Sequence, residues 1–198
     1  MKITLNKFFL FLIFIFPILL ITGPAAPDIV LTFFTLYFFI VYFKNNKLKI
    51  QISSWLFLGL IFWLGSILSS IFAYDFKIHS ISSSLPYIRF ILFCFFLNYF
   101  FLKIPFNYFV LINIIGLTIF FVSIDIIIQY FYGKDIFGFE SNVIRNSGPF
   151  GDELKGGSFV SKLFLPVFSI FYFFSKTNNT YKYILPIFFI ICLLGLIF

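Results

Sequence analysis

Charge is what this chain has least of. Asp, Glu, Lys and Arg together make up 11% of its 198 residues, against 62% hydrophobic. A soluble domain of this length leaves too much of itself exposed to hide that apolar surface, so the solvent for most of the chain is lipid. Cysteine is scarce too. Cys94 and Cys192 both sit inside apolar runs, where a thiol is a small hydrophobe. That excludes a disulfide framework and any CxxC or Cys/His metal cluster. Histidine occurs once, at His79, and one histidine cannot build a zinc site. The GxxxxGK[ST] pattern of a phosphate-binding P-loop is absent. No metal and no cofactor are expected. What fills the chain is phenylalanine, isoleucine and leucine, in runs too continuous for the alternation of a barrel strand. The expected fold class is all-α: a polytopic helical membrane protein.

Seven apolar segments can be marked, at approximately 3–22, 29–43, 55–74, 85–102, 106–124, 159–175 and 183–198. Each is close to the ~20 residues a spanning helix needs, the second being short enough to begin near Pro27 or to lie in thinner lipid. The first follows Lys2 and Lys7 and has the outline of a signal peptide. The small residues after it are interrupted by Pro24 and Pro27, a poor cleavage site, so it reads as an uncleaved span. Lys and Arg set the orientation. With the N-terminus cytoplasmic, the inside holds Lys2, Lys7, the compact "KNNKLK" cluster, Lys103, Lys176 and Lys182. The outside holds Lys77, Arg89, Lys134, Arg145, Lys155 and Lys162, with every acid in the chain. The bias is mild, and the "KNNKLK" cluster decides it: seven spans, N-terminus inside. The net charge of +7 then reflects lysines facing anionic membrane lipids. No basic face with base-stacking aromatics can be separated from the spans, so nucleic acid is not an expected partner.

One segment is unlike the rest. Between the fifth and sixth spans, about 125–158, lie Gly133, Gly138, Gly148, Gly151, Gly156 and Gly157, six of the eleven glycines in the chain, in its only long polar stretch. Backbone freedom and charge coincide only here. Asp125 and Gln129 open it, spaced i, i+4 on one helix face. A carboxylate at the edge of a span either faces a cavity or caps the helix end, and the spacing leaves both open. Then comes "RNSGPFGDELKGGS". Gly148, Pro149 and Gly151 impose a tight irregular path that can aim several N–H groups at one anion. Arg145 adds a planar, permanently charged fork suited to phosphate oxygens. Asp152 and Glu153 add carboxylates, Lys155 a second cation, and Ser158 a candidate cap for the next helix. An ordinary solvated loop with Gly and Pro turns would carry the same residues. Elsewhere, Arg89 sits four residues into the fourth span, where it snorkels outward or reaches the outer cavity. His79 has no visible orienting partner for a role as base. "NNT" at Asn178 matches a glycosylation sequon but falls in an expected cytoplasmic loop.

The stretches "DIIIQYFYGKDIFGFE" and "RNSGPFGDELKGGSFVSKLFLP" resemble the O-antigen ligase and O-antigen polymerase family of bacterial envelope enzymes, and "SLPYIRFILF" is similar to the family's fourth span. The specific likeness covers about forty residues, within a pattern of spans that runs the length of the chain. It implies a glycosyltransferase of the bacterial inner membrane, active in lipopolysaccharide or surface polysaccharide biosynthesis. Such enzymes move a glycan from undecaprenyl diphosphate to lipid A–core or to another glycan at the periplasmic face, without a nucleotide sugar. It implies that Arg145 binds the donor diphosphate, with Lys155 and Arg89 as further candidates and Asp125, Gln129, Gly148, Gly151 and Gly156 in support. The spacing of Arg145 to Gly156 matches the polymerase branch, although a Gly-rich loop yields that spacing easily.

The chain also departs from the family, whose members have ten to twelve spans and a later large loop with further arginines and, in ligases, a histidine proposed as the base. Here the sequence ends in the apolar run "FFIICLLGLIF", so an N-terminal fragment is expected, carrying half of a donor site. In the reaction so implied, undecaprenyl diphosphate leaves the anomeric carbon and Arg145 stabilises the charge that develops. Asp152 and Glu153 are weak catalytic candidates, because an open polar loop does not raise a carboxyl pKa as a base requires. The rival expectation is non-enzymatic: a permease, flippase component or assembly factor. Such transporters carry internal repeats and midplane polarity, and neither is visible here.

Overall fold

The computed structural model describes residues 2–44, 54–74, 77–103, 106–141, 146–151 and 153–198, with side chains described except at 2–6, 38, 41–44, 99 and 102–103. Every named element among them is helical. The α-helices are α1 (Lys2–Leu19), α2 (Ala25–Lys44), α3 (Ser54–Ile71), α4 (Lys77–Ser84), α5 (Ile88–Lys103), α6 (Tyr108–Tyr132), α7 (Gly156–Ser175) and α8 (Asn179–Ile197), with short 3-10 turns at Leu85–Tyr87 and Gly148–Phe150. Long apolar runs take this form because a helix satisfies its own backbone where lipid offers no hydrogen bonds. The same setting tolerates Pro17, Pro166 and Pro186 inside α1, α7 and α8. Among the described residues, five stretches are long and apolar enough to cross a membrane: α3, Lys77–Asn98, α6, α7 and α8, while α1 and α2 are apolar over Lys7–Leu19 and Ala25–Tyr37. The chain is thus a multi-pass, all-helical membrane protein.

Several boundaries differ from the sequence expectation by a few residues, and three differences bear on the loops. The long loop begins not at Asp125 but at Gly133, because α6 runs two turns further, to Tyr132. Gly133 ends it in the left-handed conformation (φ 74°), its N–H donating to the Gln129 carbonyl at 2.9 Å. The segment "KIHSISSS", expected to be a loop, is helix α4. Ser82 and Ser83 donate to the His79 carbonyl (2.9 Å each), local bonds that stay within the helix. Finally, α7 starts at Gly156, after Lys155, so Ser158 lies in its first turn rather than before it and is not its cap. Two asparagines do cap: Asn107 accepts from the Val110 N–H (3.3 Å) at the start of α6, and Asn178 from the Thr180 N–H (2.9 Å) at the start of α8.

The chain folds as two compact units, residues 1–26 with 107–198, and residues 27–106. In the first, α6, α7 and α8 pack on one another and α1 packs on α6. Its core is Ile119, Val122 and Ile126 of α6, Val160, Phe164, Val167 and Phe171 of α7, and Tyr181, Phe188 and Cys192 of α8. The Tyr181 hydroxyl finds a partner in Asn113 Oδ1 at 2.8 Å, as a buried phenol requires. In the second unit, Phe34 of α2 packs edge-on against Phe93 of α5. There Arg89 is ion-paired with Asp28 at 2.7 Å, and Trp63 Nε1 donates to the Leu85 carbonyl at 3.3 Å.

Candidate functional site

The long loop of the first unit is built on the last two turns of α6. Asp125 and Gln129 are both completely buried, at 0% exposure, because the chain returns over them after Gly133. Lys134 to Ser141 forms a small hairpin-like turn. The Ser141 N–H donates to the Gly133 carbonyl (2.8 Å), the Asp135 N–H to the Phe139 carbonyl (3.0 Å) and the Gly138 N–H to the Asp135 carbonyl (3.1 Å). Asp135 Oδ1 also accepts from the Phe139 N–H at 2.6 Å. An aspartate bonding to the backbone a few residues on, with glycine between, is a turn device. At the mouth of the turn, Lys134 and Glu140 form an exposed ion pair at 3.2 Å.

Asp125 reaches this turn directly, its Oδ1 accepting from the Ile136 N–H at 2.9 Å. Gln129 reaches further. Its Nε2 donates toward the carbonyls of Phe139 (3.4 Å) and Glu140 (3.3 Å) and toward Ser147 Oγ (3.3 Å), and its Oε1 accepts from the Gly148 N–H at 2.8 Å. Asp125 and Gln129 are therefore neither exposed caps nor groups facing water: they form the floor of the loop. Among the described residues, Asp125 Oδ2 and Asp135 Oδ2 are buried and accept no hydrogen bond.

Two glycines let the loop lie this close. A Cβ on Gly148 (φ 60°) would come within 2.8 Å of Ile126 Cγ1, and one on Gly156 within 2.6 Å of the Ser147 carbonyl oxygen. Gly151 (φ 63°) has the Phe139 ring against it, where a Cβ would sit 3.2 Å away. The three glycines singled out in the sequence thus share one role, close approach of the backbone to α6, to α7 or to the preceding turn. Asn146 and Ser147 are buried, and Asn146 Nδ2 donates to the Phe198 carbonyl at 3.0 Å.

The other expected residues divide three ways. Lys155 and Glu153 are exposed and paired with each other at 2.6 Å, so the second cation carries its own counter-ion. Arg89 belongs to the second unit and bonds Asp28. Arg145 and Asp152 lie outside the described residues. Asp135, Asn146 and Ser147 were assigned no role in the sequence. For Asp135 the signal was present in "DIFG", an Asp with a Gly three residues on. For Asn146 and Ser147 there was none, because their partners lie far along the chain. No group of three or more His, Cys, Asp or Glu suited to a metal ion occurs among the described residues.

Beside the polar loop runs an apolar cleft of about 360 Å³, lined by Ile18, Ile21 and Thr22 after and within α1, by Ile114, Leu117, Thr118 and Phe121 of α6, and by Phe137 of the loop turn. A polar, glycine-shaped loop thus adjoins an apolar cleft between α1 and α6. No family model, curated protein or solved structure matches this chain.

Proposed function

We propose that this chain handles a polyprenyl-diphosphate-linked glycan, in the manner of the O-antigen ligases and polymerases it resembles, and transfers that glycan to lipid A–core or to another glycan. The observation that carries the reading is the loop itself. The same residues that carry the resemblance, Gln129, Gly148, Gly151 and Gly156, hold a preformed polar turn on the end of a spanning helix, with an apolar cleft beside it. An amphiphile with a charged diphosphate and a long hydrocarbon tail suits that pairing of surfaces.

In this reading the N-terminus is cytoplasmic, the loop lies at the periplasmic face of a bacterial inner membrane, and Arg145 grips the diphosphate. Its fork can hold two oxygens at once, and its charge persists at every working pH. The leaving undecaprenyl diphosphate gains negative charge as the anomeric bond breaks, and a fixed cation there lowers the barrier. Lys155 contributes less, since Glu153 already neutralises it. Glu153, tied to Lys155, orients rather than deprotonates, and Asp152 is the remaining carboxylate candidate.

The test is glycan transfer in membranes carrying the protein as its gene encodes it. Arg145→Lys keeps the charge and loses the bidentate fork, and transfer is expected to fall at least tenfold, about the worth of one charge-assisted hydrogen bond. Lys155→Gln is expected to lose less. Wild-type transfer by Arg145→Lys and Arg145→Ala alike would refute the assignment.

A further inference from the structure

The turn from Lys134 to Ser141 is inside out for a loop in water. Its aspartate, Asp135, is buried, while Ile136, Phe137 and Phe139 are exposed. Its backbone is turned inward as well. The amides of Asp135, Gly138 and Ser141 donate to carbonyls of the turn or of Gly133. Those of Ile136 and Phe139 donate to the carboxylates of Asp125 and Asp135. Lys134 and Glu140 stay exposed and pair with each other where the two arms of the turn meet.

The turn also doubles back along α6. The Phe137 ring meets the Phe121 ring edge-on, with centroids 6.3 Å apart. With Ile18, Leu117 and Phe121 it lines the apolar cleft. Phe121 stands three turns before the end of α6 at Tyr132, about 16 Å back along the axis. The helix has 25 residues, a length of about 37 Å against a bilayer core of about 30 Å. If all of that excess projects on the loop side, Phe121 still lies about 9 Å inside the core.

We infer that residues 134–141 form a re-entrant turn, with Ile136, Phe137 and Phe139 set among the acyl chains of the leaflet on the loop side. Two observations select lipid as the partner. The apolar face of the turn is continuous with the cleft and with exposed Leu117 of α6, the surface of a spanning helix. Non-helical backbone is tolerated at membrane depth only where protein satisfies it, and the inward-facing amides do this. Lys134 and Glu140 then mark the headgroup level, where a long charged side chain keeps its contact with water. The depth of the turn depends neither on a glycan substrate nor on the direction of the chain across the bilayer.

The test is a depth measurement on the whole chain in vesicles of phosphatidylethanolamine and phosphatidylglycerol. Cys94 and Cys192 are changed to serine and alanine. One nitroxide at a time is then attached through Phe137→Cys, Glu140→Cys, Glu153→Cys or Leu117→Cys. Collision with oxygen reports lipid, and collision with a neutral nickel chelate reports water. The label at 137 is expected to match the one at 117, with an oxygen-to-nickel ratio several-fold above those at 140 and 153. A ratio at 137 equal to that at 153 would put the turn in water and overturn the inference. Weak collision with both reagents would mean that protein, such as a second copy of the chain, covers the tip, and would overturn it too. Ile136→Cys repeats the measurement with the Phe137 ring in place, which guards against a turn disturbed by losing that ring. A lipid signature at 136 sustains the inference, and a water signature there overturns it.

Discussion

At Gly156 the loop, α6 and the first turn of α7 meet with no room for a methyl group. A Cβ there would fall 2.6 Å from the Ser147 carbonyl oxygen and 2.9 Å from Ile126 Cδ1. The isoleucine can turn aside, but the backbone carbonyl belongs to Ser147, whose hydroxyl and following amide both bond Gln129. Gly156→Ala should therefore lower stability by about 1–3 kcal/mol, the usual cost of overpacking a closed contact. Gly148→Ala adds conformational strain to a similar clash, since its φ of 60° is one that L-residues adopt at a cost of ~1–2 kcal/mol. Gly65 is the control. It lies inside α3 with nothing within 4 Å of its Cβ position, and Gly65→Ala should leave stability unchanged or raise it by up to ~1 kcal/mol through helix propensity. Thermal unfolding in one detergent compares the three. A Gly156→Ala midpoint equal to that of Gly65→Ala would contradict the packing.

On the scale of an element, α6 shows what was legible in the sequence and what was not. Its apolar body, and the glycine-rich segment after it, followed from composition alone. Its true end did not. Asp125 and Gln129 break the apolar run two turns before Tyr132, and a polar break normally marks the edge of a span. Here Asp125 Oδ1 bonds the Ile136 amide and the Gln129 carboxamide bonds Phe139, Glu140, Ser147 and Gly148, a partnership that no local pattern encodes. Helix α4 escaped for a related reason. "KIHSISSS" is serine-rich like a loop, yet Ser82 and Ser83 bond back within the helix. The glycine positions were legible because a bend needing positive φ leaves its mark as Gly wherever it occurs. If α6 serves as the platform, removing one acceptor from it should loosen the turn above it. Asp125→Leu leaves the Ile136 N–H without its acceptor, at a cost of about 1–3 kcal/mol, and exchange at 134–141 should speed up. Asp125→Asn keeps an oxygen at that place and should exchange close to wild type. Equal exchange in the two variants would mean that Asp125 does not hold the turn.

For the molecule as a whole, the open quantity is direction across the bilayer, and α7 measures it. This helix has 20 residues, a length of about 30 Å, which matches a bilayer core. Glu153 precedes it and Thr177 follows it, so the two positions belong on opposite faces. Around Thr177, Lys176 and Lys182 are two of the lysines expected on the cytoplasmic side. At the other end, Lys134 and Lys155 are each ion-paired with a glutamate. That end also carries Arg145 and Lys162, so the Lys and Arg bias within this unit is small. Cysteines placed singly at Glu153 and Thr177, with Cys94 and Cys192 changed to serine and alanine, can be reacted with a membrane-impermeant maleimide in intact cells. Glu153→Cys should label at once, and Thr177→Cys only after the membrane is permeabilised. The reverse order would put the glycine-rich loop in the cytoplasm. A diphosphate donor displayed at the periplasmic face could not reach it there, and the glycosyltransferase proposal would fall with the topology.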